Sequence, residues 1–410
     1  CHGWDDNVTC WVTLKDAKGN ETLVSVEDEY GYPNGNKAAY KGRITWKNMK
    51  AAMKNAGKNH RWYISFASAT ALPVAGPAAF SDVVNPLLAK QTQGLNQSCG
   101  IVLIDFAGST DGRTLIDNLI LSNRPKPVAM PLRFKEGKLK IAQLTDVHWT
   151  PGSEKSEKGN PETILKVLDM EKPDVVILTG DVVTSKPAKE GWKRIVEMME
   201  TAGVPFAVTM GNHDAENWSE DSIYNYLSKS RLFIGKKGPE ALSGTGNYIL
   251  PVYASDGTDK INALLYCMDS NDYTADAEKY GNYAWIDWGQ IAWYREQSRQ
   301  YTTKNNGNPL PALAFFHIGV PEFKHLQNRP DMYGHLGEGG GFPKINSGMF
   351  QSMIEMGDVM GIFVGHDHDN DYIAQEYGIA LGYGRVSGHD AYGDLERGAR
   401  IIELYEDGRQ

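Results

Sequence analysis

Cysteine is scarce in this chain of 410 residues, with 4 in all: Cys1, Cys10, Cys99 and Cys267. They are too few and too scattered for a disulfide framework. None forms a CxxC metal pair, and a Cys1–Cys10 bridge is the one pairing left open. Cys267, inside the apolar run Ala263 to Met268, reads as a buried core thiol. Long apolar runs are lacking too. The nearest candidate, Tyr63 to Phe80, is broken by Pro73 and Pro77, so no transmembrane helix is expected. Positive charge is in deficit, 42 Lys and Arg against 51 Asp and Glu for a net −9, and no basic run occurs. That balance argues against a nucleic-acid surface. The chain starts at Cys1 with no basic and apolar signal segment, and is therefore expected to be processed or trimmed. Four Asn-x-Ser/Thr triplets, at Asn7, Asn20, Asn96 and Asn217, would be glycosylation acceptors only in a eukaryotic secretory route.

What is present is enough apolar content, 41%, for two domains or one large core with additions. Two prolines and two basic residues in Ser122-Asn123-Arg124-Pro125-Lys126-Pro127 read as a linker. Beyond it, strands are expected over 138–145, 174–179, 205–210, 262–268, 312–316 and 361–364. Helices are expected from Asn160-Pro161 onward, with Asn as N-cap and Pro at the first helical position, and over 190–201, 288–302 and 347–356. Alternation of this kind implies parallel pairing with helices covering the sheet, a layered α/β sandwich. Residues 372–404 carry short strand patterns between Gly-rich turns.

Five short segments hold the residues of chemical interest: Asp146-Val147-His148, Gly180-Asp181, Gly211-Asn212-His213-Asp214, the lone His317, and Gly365-His366-Asp367-His368. Each follows a strand-like run, and the carboxyl ends of strands in an open α/β sheet border a crevice. Side chains two positions apart, as in Asp146/His148 and His366/His368, leave a strand end on the same side. Mixed carboxylate, amide and imidazole donors suit divalent Mn, Fe or Zn, and a carboxylate such as Asp181 has two oxygens with which to bridge two ions. An acidic chain binds anionic substrates through such ions, which reverse the local charge. Singly, each motif is more often a turn or a surface hydrogen bond; together and in order they are not readily explained by chance.

These segments resemble the calcineurin-like metallophosphoesterases, whose signature runs D-x-H, G-D, G-N-H-D/E, H, G-H-x-H. The resemblance covers about residues 132–405 and implies a four-layer α/β/β/α sandwich over residues 131–410. It implies one ion held by Asp146, His148, Asp181 and His368, and a second held by Asp181, Asn212, His317 and His366. Two divalent ions (Mn, Fe, Zn or Mg) would activate a shared water for in-line attack on phosphorus. His213 would be the catalytic imidazole, with Asp214 fixing its orientation. Phe315-Phe316-His317-Ile318, Pro321-Glu322, Asn370-Asp371, Tyr383-Gly384-Arg385 and Arg397-Gly398-Ala399-Arg400 are similar to a purple-acid-phosphatase-like branch. True purple acid phosphatases carry a Tyr three residues after the bridging Asp; here Thr184 stands there, and a histidine, His148, occupies the first motif. A colourless site is therefore expected. Arg385 is a candidate phosphate contact, with a structural ion pair the equal alternative.

The first 125 residues carry their own likeness. Val24 to Tyr30, Trp62 to Phe66, Val84-Asn85-Pro86 and Gly100 to Phe106 resemble the later half of bacterial phosphatidylinositol-specific phospholipase C, and Ile116 to Asn123 its closing helix. This implies a partial (β/α) barrel-like, non-catalytic domain over 1–125, with no catalytic role carried onto His2. Half a barrel leaves strand edges uncovered.

The expected function is hydrolysis of phosphomonoesters. The alternatives are a phosphodiesterase acting on glycerophosphodiesters, nucleotides or inositol-lipid headgroups, and a headgroup-binding protein without turnover. The partner is a small phosphorylated substrate, such as an inositol phosphate or phospholipid headgroup. Substrate choice is expected in the loops 269–285 and 322–342. Family resemblance and the many Tyr and Trp residues place the chain outside the cytoplasm, periplasmic or secreted.

Overall fold

The computed structural model describes residues 8–15, 21–29, 31, 37–55, 61–67, 69, 77–93, 95, 99–105, 109–123 and 129–408. His2, Cys1 of the Cys1–Cys10 pairing, Asn7, Asn20, Asn96 and most of the expected linker lie outside them. Two compact units divide the chain, residues 1–126 and 127–410.

The first unit contains β1 (Val8–Lys15), β2 (Glu21–Asp28), α1 (Ala38–Lys54), β3 (Arg61–Phe66), α2 (Pro77–Thr92), β4 (Ile101–Leu103) and α3 (Thr110–Asn123). Its sheet runs β1-β2-β3-β4, with β2, β3 and β4 parallel and β1 antiparallel on the edge. The described strands form an open sheet. Met49, Val84, Leu88 and Leu115 pack between the sheet and its helices. Fully buried Lys41 forms a 2.5 Å ion pair with Glu27, which spares both charges the cost of burial without a partner.

The second unit begins with β5 (Lys138–Leu144), α4 (Asn160–Glu171), β6 (Val175–Thr179), α5 (Ala188–Ala202), β7 (Phe206–Thr209) and α6 (Glu220–Leu227). β5, β6 and β7 pair in parallel. All five β6 residues are buried, as a parallel strand covered on both faces requires. On α5, Ala188, Trp192, Ile195 and Met199 recur at helical spacing and are buried. Gly203, at φ +69°, ends that helix in the left-handed region. Asn160 is not the N-cap expected from sequence. It is buried, Gly159 holds the cap position after a π-helical turn over 155–159, and Asn160 instead accepts the His389 N–H at 2.8 Å.

The rest comprises β8 (Tyr248–Tyr253), β9 (Ile261–Cys267), α7 (Ala277–Tyr280), α8 (Trp288–Lys304), β10 (Ala312–Phe315), α9 (Met349–Met356), β11 (Val359–Val364), β12 (Ile373–Glu376), β13 (Ile379–Tyr383) and β14 (Arg400–Tyr405). Asp287 and Gln290 close a capping box on α8. The order β12-β13-β11-β10-β9-β8 forms a six-stranded sheet, and β14 returns to pair antiparallel with β5, completing β14-β5-β6-β7.

Between the two sheets lies one core, where Ile141, Ile177 and Ala207 meet Leu265, Leu313, Phe315 and Phe363; on the other face of the four-stranded sheet the same cluster continues through Leu144, Leu178 and Val208 to Ile164 of α4, Trp192 of α5 and Ile223 of α6. A second core joins Leu264, Ala314 and Ile362, on the other face of the six-stranded sheet, to Ile291 and Tyr294 of α8 and Met353 of α9. The layers are therefore α/β/β/α. Gln143 ties the sheets together, its Nε2 donating to Thr179 Oγ1 at 2.9 Å and to Val364 O at 3.0 Å. Cys267 is a core thiol whose burial pushes its pKa up to about 12. Among the described residues, no helix is long and apolar enough to cross a membrane.

Candidate metal centre

The segments just beyond β5, β6, β7, β10 and β11 converge at the carboxyl edge of the two sheets. Among the described residues two groups bring ligand atoms within 4.8 Å of one another: Asp146, His148 and His368, and Asp181, His317 and His366. Each group draws on both sheets.

The backbone is bent to achieve this. Asp146 (φ 50°), His148 (44°), Asp181 (49°) and His366 (80°) all occupy the left-handed region, which costs a non-glycine residue about 1–2 kcal/mol and clusters at functional sites. Local pairing holds the bends. His148 N–H donates to Asp181 O at 2.9 Å and Trp149 N–H to Val182 O at 2.9 Å, while His366 N–H donates to the Asp146 carboxylate at 3.0 Å. The motif glycines clear space. A Cβ on Gly180 would lie 2.5 Å from His317 Cγ, and one on Gly365 1.9 Å from Thr145 Oγ1.

Asp181 Oδ2 lies 3.3 Å from His317 Nε2 and 3.6 Å from His148 Nε2, one imidazole from each group. Donors sharing an ion at a bond length near 2.1 Å are about 3.0–3.4 Å apart, so this oxygen is placed to serve both groups. His317 Nδ1 donates to Thr179 O at 2.8 Å, which leaves Nε2 as the ring's lone pair. That Nε2 is buried without a hydrogen-bond partner, as are His148 Nε2, Asn212 Oδ1 and His368 Nδ1. Asn212 directs its Nδ2 to Tyr273 Oη at 2.7 Å, fixing its amide. His368 faces Asp146 Oδ1 with its Nε2 at 3.3 Å. The three orphaned acceptors of His148, Asn212 and His317 around two buried carboxylates match what divalent ions require and what a protein interior otherwise avoids. Burial opposes ionisation of Asp181, but the charges and hydrogen bonds of His317 and His148 hold its carboxyl well below the usual range. Burial lowers His317, but Asp181 outweighs it and raises the imidazole to about 10, so Nε2 holds a proton wherever no ion takes its place.

Two expectations require correction. Asp214 does not orient His213. It is fully buried and accepts the Val182 and Val183 N–H groups on Oδ1 at 2.9 and 3.0 Å and the Gly211 N–H on Oδ2 at 2.9 Å. It braces the loops that carry Asp181 and Asn212. Burial, then the Asp181 charge, raise it to about 7 against the Val183 and Gly211 amides. His213 Nδ1 instead meets Glu216 Oε1 at 2.7 Å, one turn along a short 3-10 helix over Asp214–Glu216. This leaves His213 Nε2 directed toward the cleft, 3.5 Å from Tyr273 Oη. Arg385 does not line the cleft. Its guanidinium is committed to Asp371 and to Glu396 O, the structural alternative.

A cleft of about 510 Å³ opens over the ligands, lined by His148, Asp181, His213, His366 and His368, with Tyr283, Glu338, the Gly339–Gly341 backbone, Asp367 and Tyr392 as further walls. Asp367 is not solvated: it is buried and accepts from Gly341 N–H at 2.9 Å and from Tyr383 Oη at 2.5 Å. Glu216, Tyr273, Tyr283, Glu338 and Tyr392 went unnoticed as individuals in the sequence, although four of the five lie in or beside loops expected to govern substrate choice or in the 3-10 turn that follows His213.

An α/β/β/α sandwich with two histidine–carboxylate groups at one sheet edge defines a candidate dinuclear metal site. The model of the calcineurin-like phosphoesterases matches residues 139–370, over half the sequence, and the chain belongs to that family. It is similar to "Probable inactive purple acid phosphatase 29" of Arabidopsis thaliana, 32% identical over 304 residues covering 66% of this chain and 78% of that protein. "Phosphatase DCR2" of Saccharomyces cerevisiae is 29% identical over 309 residues, 66% of this chain and 52% of that one. Among solved structures, a dimetal phosphatase from Danio rerio covers 65% of this chain and 92% of its own at 13% identity and TM-score 0.42. A phosphatidylinositol-specific phospholipase C from S. aureus covers 28% and 38% at 23% identity and TM-score 0.24.

Proposed function

We propose that the chain is a dinuclear metal-dependent phosphoesterase that hydrolyses phosphomonoesters, with Asp146, His148, Asp181 and His368 holding one ion and Asp181, Asn212, His317 and His366 the other. The observation that carries this reading is the set of orphaned acceptors, His148 Nε2, Asn212 Oδ1 and His317 Nε2, buried around the paired carboxylates, with His368 Nε2 3.3 Å from Asp146 Oδ1. When bound, a pair of divalent ions neutralises phosphoryl oxygens and lowers the pKa of water. The remaining work belongs to the chain. Asp181 spans the two groups, and Asn212 adds a neutral oxygen that leaves the site net positive. His213, held through Nδ1 by Glu216, presents Nε2 to stabilise or protonate the leaving oxygen. Although a relative bears the word inactive in its name, this chain retains every donor of the proposed set. With Thr184 where purple enzymes carry a tyrosine, the loaded protein is colourless. The reading places the chain outside the cytoplasm and its first unit in a non-catalytic role.

Phosphodiester hydrolysis is the second reading, favoured by the absence of Lys or Arg from the described lining of the cleft, since a diester carries less negative charge. Metal analysis combined with assays on p-nitrophenyl phosphate and bis-p-nitrophenyl phosphate decides. Two ions with monoester preference are expected. Diester preference moves the assignment to the second reading, and no metal or turnover with Mn, Zn, Fe or Mg defeats both.

A further inference from the structure

The wall of the cleft carries a charge that phosphate recognition alone would disfavour. Glu338 lines it, and no Lys or Arg does so among the described residues. The Glu338 carboxylate is built into place: Oε1 accepts the Asp369 N–H at 2.9 Å, and Tyr392 Oη lies 3.0 and 2.9 Å from Oε1 and Oε2. All these partners are neutral. A carboxylate beside an anion-binding centre repels every substrate that brings no compensating charge, which is a means of selection.

Aromatic rings accompany it. Tyr392 stacks on His368 at 3.9 Å between centroids and is 55% exposed. Across the cleft lining, Tyr283 stands edge-on to His366 at 4.5 Å and stacks on Tyr273 at 5.9 Å. Thus His366 and His368, one from each metal group, each carry a tyrosine ring beside them, and a carboxylate lies on the same wall. Tyrosine faces with a carboxylate are the recognition chemistry of an ammonium, most of all a quaternary one, whose charge is spread over methyl groups that favour ring contact.

We propose that Glu338, Tyr283 and Tyr392 form a subsite for a cationic alcohol, so that the preferred esters are those of choline or similar amino alcohols. This rests on the phosphoesterase reading and narrows its substrate class. The phosphoryl group sits at the ligand cluster and the ammonium on the adjoining wall, where Glu338 becomes its counter-ion.

The test compares isosteres that differ only in charge. Phosphocholine is set against 3,3-dimethylbutyl phosphate as the monoester arm. p-Nitrophenyl phosphocholine is set against p-nitrophenyl 3,3-dimethylbutyl phosphate as the diester arm. The Mn-loaded protein of 410 residues is assayed for kcat/KM and, by calorimetry, for Kd. The cationic member is expected to be favoured about tenfold in at least one arm, within the range of a desolvated cation–π contact reinforced by a carboxylate. Glu338→Gln is expected to bring that ratio close to one, and Tyr283→Leu to reduce it. The arm that shows preference identifies a free phosphomonoester or a headgroup diester as the source. A wild-type ratio at or below one in both arms overturns the proposal, as does a ratio unchanged in Glu338→Gln. Failure to turn over any of the four esters defeats the phosphoesterase reading instead, and the Kd ratio then decides the subsite independently.

Discussion

Replacing Asp214 by Asn separates the two roles this residue has been given. Its carboxylate receives three backbone N–H groups and has no side-chain partner at His213. An asparagine keeps one oxygen, enough for Val182 and Val183, and turns an NH2 toward the Gly211 N–H. One hydrogen bond, about 0.5–1.5 kcal/mol, is lost and two buried donors face each other, for a total of about 2–4 kcal/mol. In a domain of this size that is a fall in Tm of roughly 10 °C. Because the amides lie beside Asp181 and Asn212, metal affinity should fall as well. Glu216→Gln is the matched control. Glu216 is half-exposed and touches His213 Nδ1, so stability should move by less than about 0.5 kcal/mol while kcat drops about tenfold or more. Thermal unfolding, metal titration and turnover on the same preparations give the comparison. A wild-type Tm in Asp214→Asn together with lost turnover would refute the brace and restore Asp214 as the residue that orients the imidazole.

Two further outcomes are expected. Gly180→Ala places a Cβ 2.5 Å from His317 Cγ at φ +83° and should weaken metal binding about 10–100-fold, whereas Gly203→Ala, at φ +69° with nothing within 4 Å, should cost only about 1 kcal/mol in Tm measurements; equal metal content after dialysis in both variants would contradict the close approach. Glu220 is raised in pKa by burial, and Asp269, to which it is hydrogen-bonded, is raised as well. A carboxyl whose folded pKa is raised stabilises the fold below its unfolded value and loses that contribution as pH rises through the folded one. Stability measured from pH 4.5 to 8 should therefore decline less in Glu220→Gln than in wild type, and parallel curves would count against the shift.

The convergence of the candidate donors was legible because each sits at a strand end in a segment of four residues or fewer, where sequence neighbours remain spatial neighbours. Asp214 was misread for the same reason. Adjacency to His213 suggested partnership, yet the 3-10 turn sends consecutive side chains in different directions and brings Glu216, not Asp214, to the imidazole. β8 received no expectation because Pro251 interrupts its run; at Pro251 the strand pairs with β9 alone, its other side being bridged only at Tyr253, and an edge position tolerates that. Asn160-Pro161 has the pattern of a helix start, but the preceding π-helical turn moved the start upstream and freed the Asn side chain to reach His389. Glu338, Tyr283 and Tyr392 stand in loops without periodicity, and their convergence depends on how those loops fold over the sheet edge.

The way the two ligand groups straddle the sandwich has a consequence beyond chemistry. Asp146, His148 and Asp181 issue from one sheet, His317, His366 and His368 from the other, and no group is complete on either. Ions held there would act as rivets along the seam between the two sheets. Without them two like-charged carboxylates and a ring of strained or orphaned donors would face one another, so the edge of the sandwich should open before its interior does. A lineage that gave up turnover would still be under pressure to keep the rivets, and an intact ligand set in a silent descendant would then record architecture.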